Sequence, residues 1–134
     1  MIAIDTSVIL AIALGEPEAD QFQQLVRRDA VIIGWPTLLE LRMVLTGKGF
    51  QNAAAIVDQF VDLPNVTAIA FDQAHYRAAE GAFDRFGKGR HPAGLNMGDC
   101  FSYAVAAVNK TPLLFKGQDF GKTDLKLHPE SSTA

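Results

Sequence analysis

The chain has a single cysteine, Cys100, among its 134 residues. One thiol forbids an intrachain disulfide and any cysteine-based zinc cluster. It suits a reducing compartment, so a cytoplasmic location is expected. A basic excess is also missing: 12 Lys and Arg stand against 15 Asp and Glu, a net charge of −3. Bulk charge alone therefore does not hold nucleic acid, although local basic patches remain available. No run approaches the roughly 18 apolar residues of a membrane span. Met1 to Leu14 is mostly apolar, but it lacks a basic leading stretch and Asp5 interrupts it. It is expected to be core rather than a signal or an anchor, and no membrane partner is expected. Repeats and linkers are absent. Hydrophobic residues at 49% and charged residues at 20% exclude disorder. One domain is expected over residues 1–128, with a polar tail at 129–134.

What the chain does have is an alternation of short apolar runs with helical patterns. Ile2-Ala3-Ile4, Val31-Ile32-Ile33, Val66 to Phe71 and Leu113-Leu114-Phe115 read as buried strands, and Leu125-Lys126-Leu127 as a short fifth. Helices are predicted over Val8–Leu14, from Pro17 past Val26, from Pro36 to Leu45, from Gln51 to Asp62, after the cap Asp72, and from Asp99 to Val108. Strands apolar on both faces belong to parallel sheets covered by helices. The expected fold class is therefore α/β: a three-layer single domain with a mostly parallel central sheet flanked by helices. In such sheets the functional site lies beyond the carboxyl ends of the strands.

Four acids stand where that rule points. Asp5 directly follows the first strand, and Asp119 follows the fourth. Asp99 occupies the first turn of a nearly all-apolar helix, and Glu40 sits inside Leu38-Leu39-Glu40-Leu41. Each has a plain reading: Asp5 and Asp99 as helix caps, Asp119 as a turn residue, Glu40 as the partner of an arginine. Together they can gather at one end of one sheet, where ionised carboxylates need a cation between them. Acids without cysteine or suitably spaced histidine select a hard ion, Mg²⁺ or Mn²⁺, and such a site suits metal-activated water attacking a phosphodiester. The carboxylate oxygens of Asp5, Asp99 and Asp119 are expected within one cation's reach, with Glu40 in the same pocket.

Ile4-Asp5-Thr6-Ser7, Leu39-Glu40-Leu41, Asn96-Met97-Gly98-Asp99 and Phe115-Lys116-Gly117-Gln118-Asp119-Phe120, followed by Thr123-Asp124-Leu125, resemble the PIN domain in order and spacing. More narrowly, the chain resembles the VapC ribonuclease toxins of bacterial toxin–antitoxin pairs, from Ile2 to Leu127. The resemblance implies a PIN-like fold and a Mg²⁺-dependent endoribonuclease whose metal-binding catalytic acids are Asp5, Glu40, Asp99 and Asp119. It implies Thr6 or Ser7 as support for the first acid, Asn96 at the rim, and Asp124 as a supporting acid. It further implies an RNA substrate, a VapB-type antitoxin covering the acidic pocket, and a homodimer. Gln118 stands where many members carry Asp or Asn.

Arg85, Lys88 and Arg90 form an acid-free basic stretch leading toward Asp99, and Lys116 lies close to Asp119 in sequence. These four are candidates to hold RNA phosphates; the plain alternative for the stretch is a solvated loop. His75, His91 and His128 are scattered and form no catalytic set, and Cys100 reads as core. A rival function is a signalling receiver domain, with Asp72 as phosphoacceptor and Lys116 as its fourth-strand lysine. That rival needs paired acids after the first strand, and Asp5 stands alone. A housekeeping or inactive PIN-domain protein is a third reading.

Overall fold

The computed structural model describes all 134 residues. Four parallel strands, β1 (Ile2–Ile4), β2 (Val31–Gly34), β3 (Val66–Ile69) and β4 (Leu113–Leu114), form one sheet in the order β3-β2-β1-β4. Six helices accompany them: α1 (Thr6–Leu14), α2 (Ala19–Arg28), α3 (Trp35–Gly47), α4 (Ala53–Val61), α5 (Gln73–Phe86) and α6 (Met97–Val108). The α/β architecture expected from the alternation is the one observed.

Side chains on a strand alternate between faces, and β1 shows the consequence. Ile2 and Ile4 join Val31, Ile33 and Leu114 in one core with Val8, Phe22, Leu41, Leu45 and Phe60 from α1 to α4. Ala3 and Ile32 point the other way, into a second core with Ala82 of α5 and Tyr103, Val105 and Ala106 of α6. The sheet is thus covered on both faces, and of its strands only the edge strand β3 shows a polar side chain, Thr67, to water. In register, Ala3 lies between Ile32 and Leu113, so β1 occupies the centre.

Local chemistry sets the helix ends. Asp5 caps α1 and Gly15, at φ 65°, closes it in a left-handed turn open mainly to glycine. Reciprocal capping boxes start α5 (Asp72 with His75) and α6 (Asn96 with Asp99). Trp35 and Pro36 begin α3 directly after β2, which places Glu40 in the second turn of that helix.

Several expectations shift. The second helix begins at Ala19, past Pro17, and β3 ends at Ile69 rather than Phe71. Leu125–Leu127 makes one bridge, Leu127 to Leu113, instead of a fifth strand, because β4 is two residues long and offers little ladder to extend. The tail at 129–134 is attached to the domain: Ser132 pairs with Lys116 along the β4 edge. No helix is long and apolar enough to cross a membrane.

Candidate active site

The site assembles at the carboxyl end of β1, between α1, α3 and the start of α6. Asp5 is 5% exposed. Its Oδ2 accepts from the Ser7 backbone N–H at 3.1 Å, which is the helix cap, and its Oδ1 accepts from Ser102 Oγ at 2.6 Å. One oxygen therefore caps α1, as in the plain reading, while the other faces α6.

Glu40, half-buried on α3, makes no ion pair, so the arginine partner of the plain reading is not there. Its carboxylate lies against Gly98 of α6, where an added Cβ would collide with both oxygens. Burial pushes its pKa up, the Asp5 charge pushes it further, and a hydrogen bond from Thr6 opposes both.

Asp99 occupies the third position of α6. Its backbone N–H donates to Asn96 Oδ1 at 2.8 Å, and its Oδ2 accepts from the Asn96 N–H at 3.1 Å. Burial raises its pKa to about 7, helped by the neighbouring charges of Asp5 and Asp119 and opposed by the Asn96 N–H. Asp119 itself is exposed, just before a 3₁₀ turn at Phe120–Lys122. The four acids thus share one electrostatic neighbourhood.

As they stand, no three of the acids converge closely enough to hold a metal ion. Like carboxylates repel unless a positive charge lies between them. Here Asp5 is satisfied by Ser102 and Ser7, and Asp99 by Asn96. The donor chemistry still fits a hard divalent cation, since every group is a carboxylate or hydroxyl oxygen and two acids are held above their ordinary pKa.

The supporting residues divide. Thr6 serves Glu40, Ser7 serves Asp5, and Asn96 fixes Asp99. Asp124 is turned elsewhere: its carboxylate accepts from Tyr103 Oη at 2.6 Å and from Arg85 at 2.9 Å. That contact engages Arg85, which also donates to Tyr103 Oη at 2.8 Å. Lys116 is held between Glu18 at 3.0 Å and Glu16 at 3.3 Å. Of the four cations proposed for RNA, Lys88 and Arg90 alone have no carboxylate partner, and Arg90 lies 4.7 Å from the centre of the Phe83 ring.

Two residues of the site escaped sequence reasoning. Ser102 is three residues after Asp99, hence on the same helix face, and it is a polar residue in an apolar helix; that was its signal. Gly98 had none, because its role is set by a side chain 58 positions away in the chain. Cys100 is buried, and burial, with Asp99 nearby, pushes its thiol up to about 11, which leaves it an inert core residue. The receiver reading fails on topology. Asp72 follows the edge strand β3, at the far side of the sheet from β4, and is locked to His75 Nδ1 at 2.8 Å.

Residues 2–126 match the PIN domain. The Ribonuclease VapC of Mycolicibacterium smegmatis is 41% identical over 123 residues, covering 91% of this chain and 95% of that protein. The chain belongs to the PIN-domain family, in its VapC branch. Among solved structures, this VapC-family domain superposes on VapC20 of Mycobacterium tuberculosis, a sarcin-ricin loop cleaving toxin, with a TM-score of 0.75 at 16% identity, covering 93% of this chain and 96% of that one. It also superposes on the Rickettsia felis VapBC2 complex bound to a promoter DNA fragment, with a TM-score of 0.73 at 16% identity and coverage of 96% and 98%. At such identity these neighbours speak to the fold, and the fold they share with the VapC-family domain spans nearly its whole length.

Proposed function

We propose that this VapC-family domain is a divalent-metal-dependent endoribonuclease acting as the toxin of a toxin–antitoxin pair. The observation that carries the reading is the acid group at the carboxyl end of β1, where Asp5 faces Ser102 of α6, Glu40 lies against Gly98 and Asp99 is fixed by Asn96. The smegmatis relative named a ribonuclease supports RNA as the substrate, and that substrate agrees with a cytoplasmic location. The solved complexes of related toxins with their antitoxins support a VapB-type partner.

Asp5, Glu40, Asp99 and Asp119 would hold Mg²⁺, with Mn²⁺ as a substitute. When bound, such an ion lowers the pKa of water and neutralises charge developing on the phosphate. The chain's own residues prepare for this. Ser102 and the Ser7 N–H orient Asp5, Thr6 steadies Glu40, and Asn96 fixes Asp99. Lys88 and Arg90 hold flanking phosphates. An antitoxin arginine or lysine is attracted to the same acids. Its helix lies against exposed apolar side chains such as Leu14, Trp35, Leu39 and Met43 on the first helices. A homodimer completes the assembly.

Labelled RNA incubated with the protein tests the reading. Cleavage is expected with Mg²⁺ and is expected to vanish in excess EDTA and in Asp5→Asn, which should retain the fold. Full cleavage in EDTA overturns metal dependence. Growth arrest on expression should disappear with Asp99→Asn and with the co-expressed small antitoxin. Cleavage without any arrest points to the housekeeping alternative.

A further inference from the structure

We propose that the C-terminal segment is a strap that positions the Asp119 loop, with Ser132 as its lock; this rests on the reading of Asp119 as an acid of the nuclease site. β4 is two residues long and lies at the sheet edge, so regular pairing does little to hold the loop that follows it. Gly117, two residues before Asp119, sits at φ +136°, a conformation that other residues rarely adopt. Something else must hold this turn.

The strap does so in two ways. Along the edge, the Ser132 N–H donates to the Phe115 carbonyl and the Gly117 N–H donates to the Ser132 carbonyl, both at 2.9 Å. Between these pairs and the His128 N–H, which donates to the Leu113 carbonyl at 2.8 Å, the ladder has a gap. The Ser131 hydroxyl fills it, accepting from the Phe115 N–H and donating to the Leu113 carbonyl, each at 3.2 Å.

The second hold is through side chains. Ser132 Oγ donates to Glu18 Oε2 at 2.6 Å, and Glu18 Oε1 accepts from Lys116 Nζ at 3.0 Å. The Lys116 backbone N–H donates to Ser7 Oγ at 2.9 Å, and the Ser7 N–H donates to Asp5 at 3.1 Å. Ser132, Glu18, Lys116 and Ser7 therefore form a continuous path from the tail to the first acid, fixing the loop of the fourth acid relative to it. The PIN-domain match ends at residue 126, so Ser131 and Ser132 lie outside it. Lys116, on this account, is a positioning residue rather than a phosphate ligand.

Ser132→Ala in the full chain removes the Glu18 tether and leaves the backbone bonds; deletion of 131–134 removes both. Amide hydrogen exchange at 116–119, measured without metal, should speed up about tenfold in Ser132→Ala, the loss of one charge-assisted hydrogen bond. It should rise further in the deletion, while β1 and α6 exchange as before. Mn²⁺ affinity and kcat should fall by about the same factor with KM for RNA unchanged, and Ser132→Thr should restore both. A folded Ser132→Ala protein with wild-type loop exchange, or with faster exchange but unaltered Mn²⁺ affinity, overturns the proposal. If the deletion does not fold, Ser132→Ala decides alone. If the wild type binds no Mn²⁺, the metal reading fails and the exchange rates still decide whether the strap holds the loop.

Discussion

Asp99 carries a sign that can be checked. Its folded pKa, about 7, lies above its ordinary value because burial disfavours the charge and Asp5 and Asp119 repel it. A carboxyl raised in this way contributes stability that is full below its unfolded pKa near 4 and is lost as the pH rises through about 7. In EDTA, the protein should therefore melt lower at pH 8 than at pH 5. Asp99→Asn should remove this contribution, raising the melting temperature by about 3–6 °C at pH 8 and much less at pH 5. A thermal melt series with and without the substitution checks it. Mn²⁺ affinity should climb about tenfold per pH unit below 7 and flatten above, since the ion must displace the Asp99 proton. Gly98 offers the second check at this scale. Glycine to alanine inside a helix ordinarily stabilises by up to about 1 kcal/mol, but here the new Cβ meets both Glu40 oxygens. The end of a glutamate side chain can swing aside, so Gly98→Ala should fold with stability within about 1 kcal/mol of wild type. It should nevertheless lose RNA cleavage at least about tenfold, because Glu40 is expelled from the acid group. Undiminished cleavage would mean that Glu40 is not needed there.

Among the elements, α5, α6 and the segment after the 3₁₀ turn are clamped together by Arg85, Tyr103 and Asp124. Arg85 and Asp124 are each about half exposed, so solvent screens the pair. Asp124→Asn should cost at most about 1 kcal/mol in urea denaturation and leave Mn²⁺ affinity unchanged. A large loss of Mn²⁺ affinity would return Asp124 to the acid group that the resemblance implied. At this scale the sequence was readable where an element carries its own signal. The apolar runs marked all four strands, and Asp5 and Asp72 sit at real helix starts, whereas α6 starts at Met97, before the expected Asp99, with Asn96 rather than Asp99 as its cap. The shortfall came where pairing partners decide. Leu125–Leu127 has strand composition but faces a strand too short to extend. The polar tail has no strand composition, yet backbone bonds and the Ser131 hydroxyl hold it to the β4 edge, and the Ser132 hydroxyl ties it to Glu18.

The whole molecule decides which cations are left free to meet an anionic substrate. Arg85 and Lys116 are neutralised by carboxylates that lie far away in the chain, whereas Lys88 and Arg90 are not. Neutralising Lys88 and Arg90 together should reduce the slope of log binding affinity against log salt by about 1.4, roughly 0.7 per single-strand phosphate contact. Neutralising Arg85 and Lys116 should leave that slope nearly unchanged. Titrations of an inactive Asp5→Asn protein with single-stranded RNA at several salt concentrations separate the two outcomes. The reverse pattern would place the RNA track on the β4 side.

The sequence by itself determined the α/β class, the acids at the strand ends and the family, because apolar period, caps and ordered motifs are local properties that survive in one dimension. Tertiary structure alone decided what each of those residues touches. It gave Asp5 its Ser102 partner, set Glu40 against Gly98, turned Asp124 away to Arg85 and Tyr103, and fastened the tail beside Gly117. The physical reason is that charge and hydrogen bonding act over a few ångströms in space. The sheet brings together residues from 5 to 132 that no spacing rule relates.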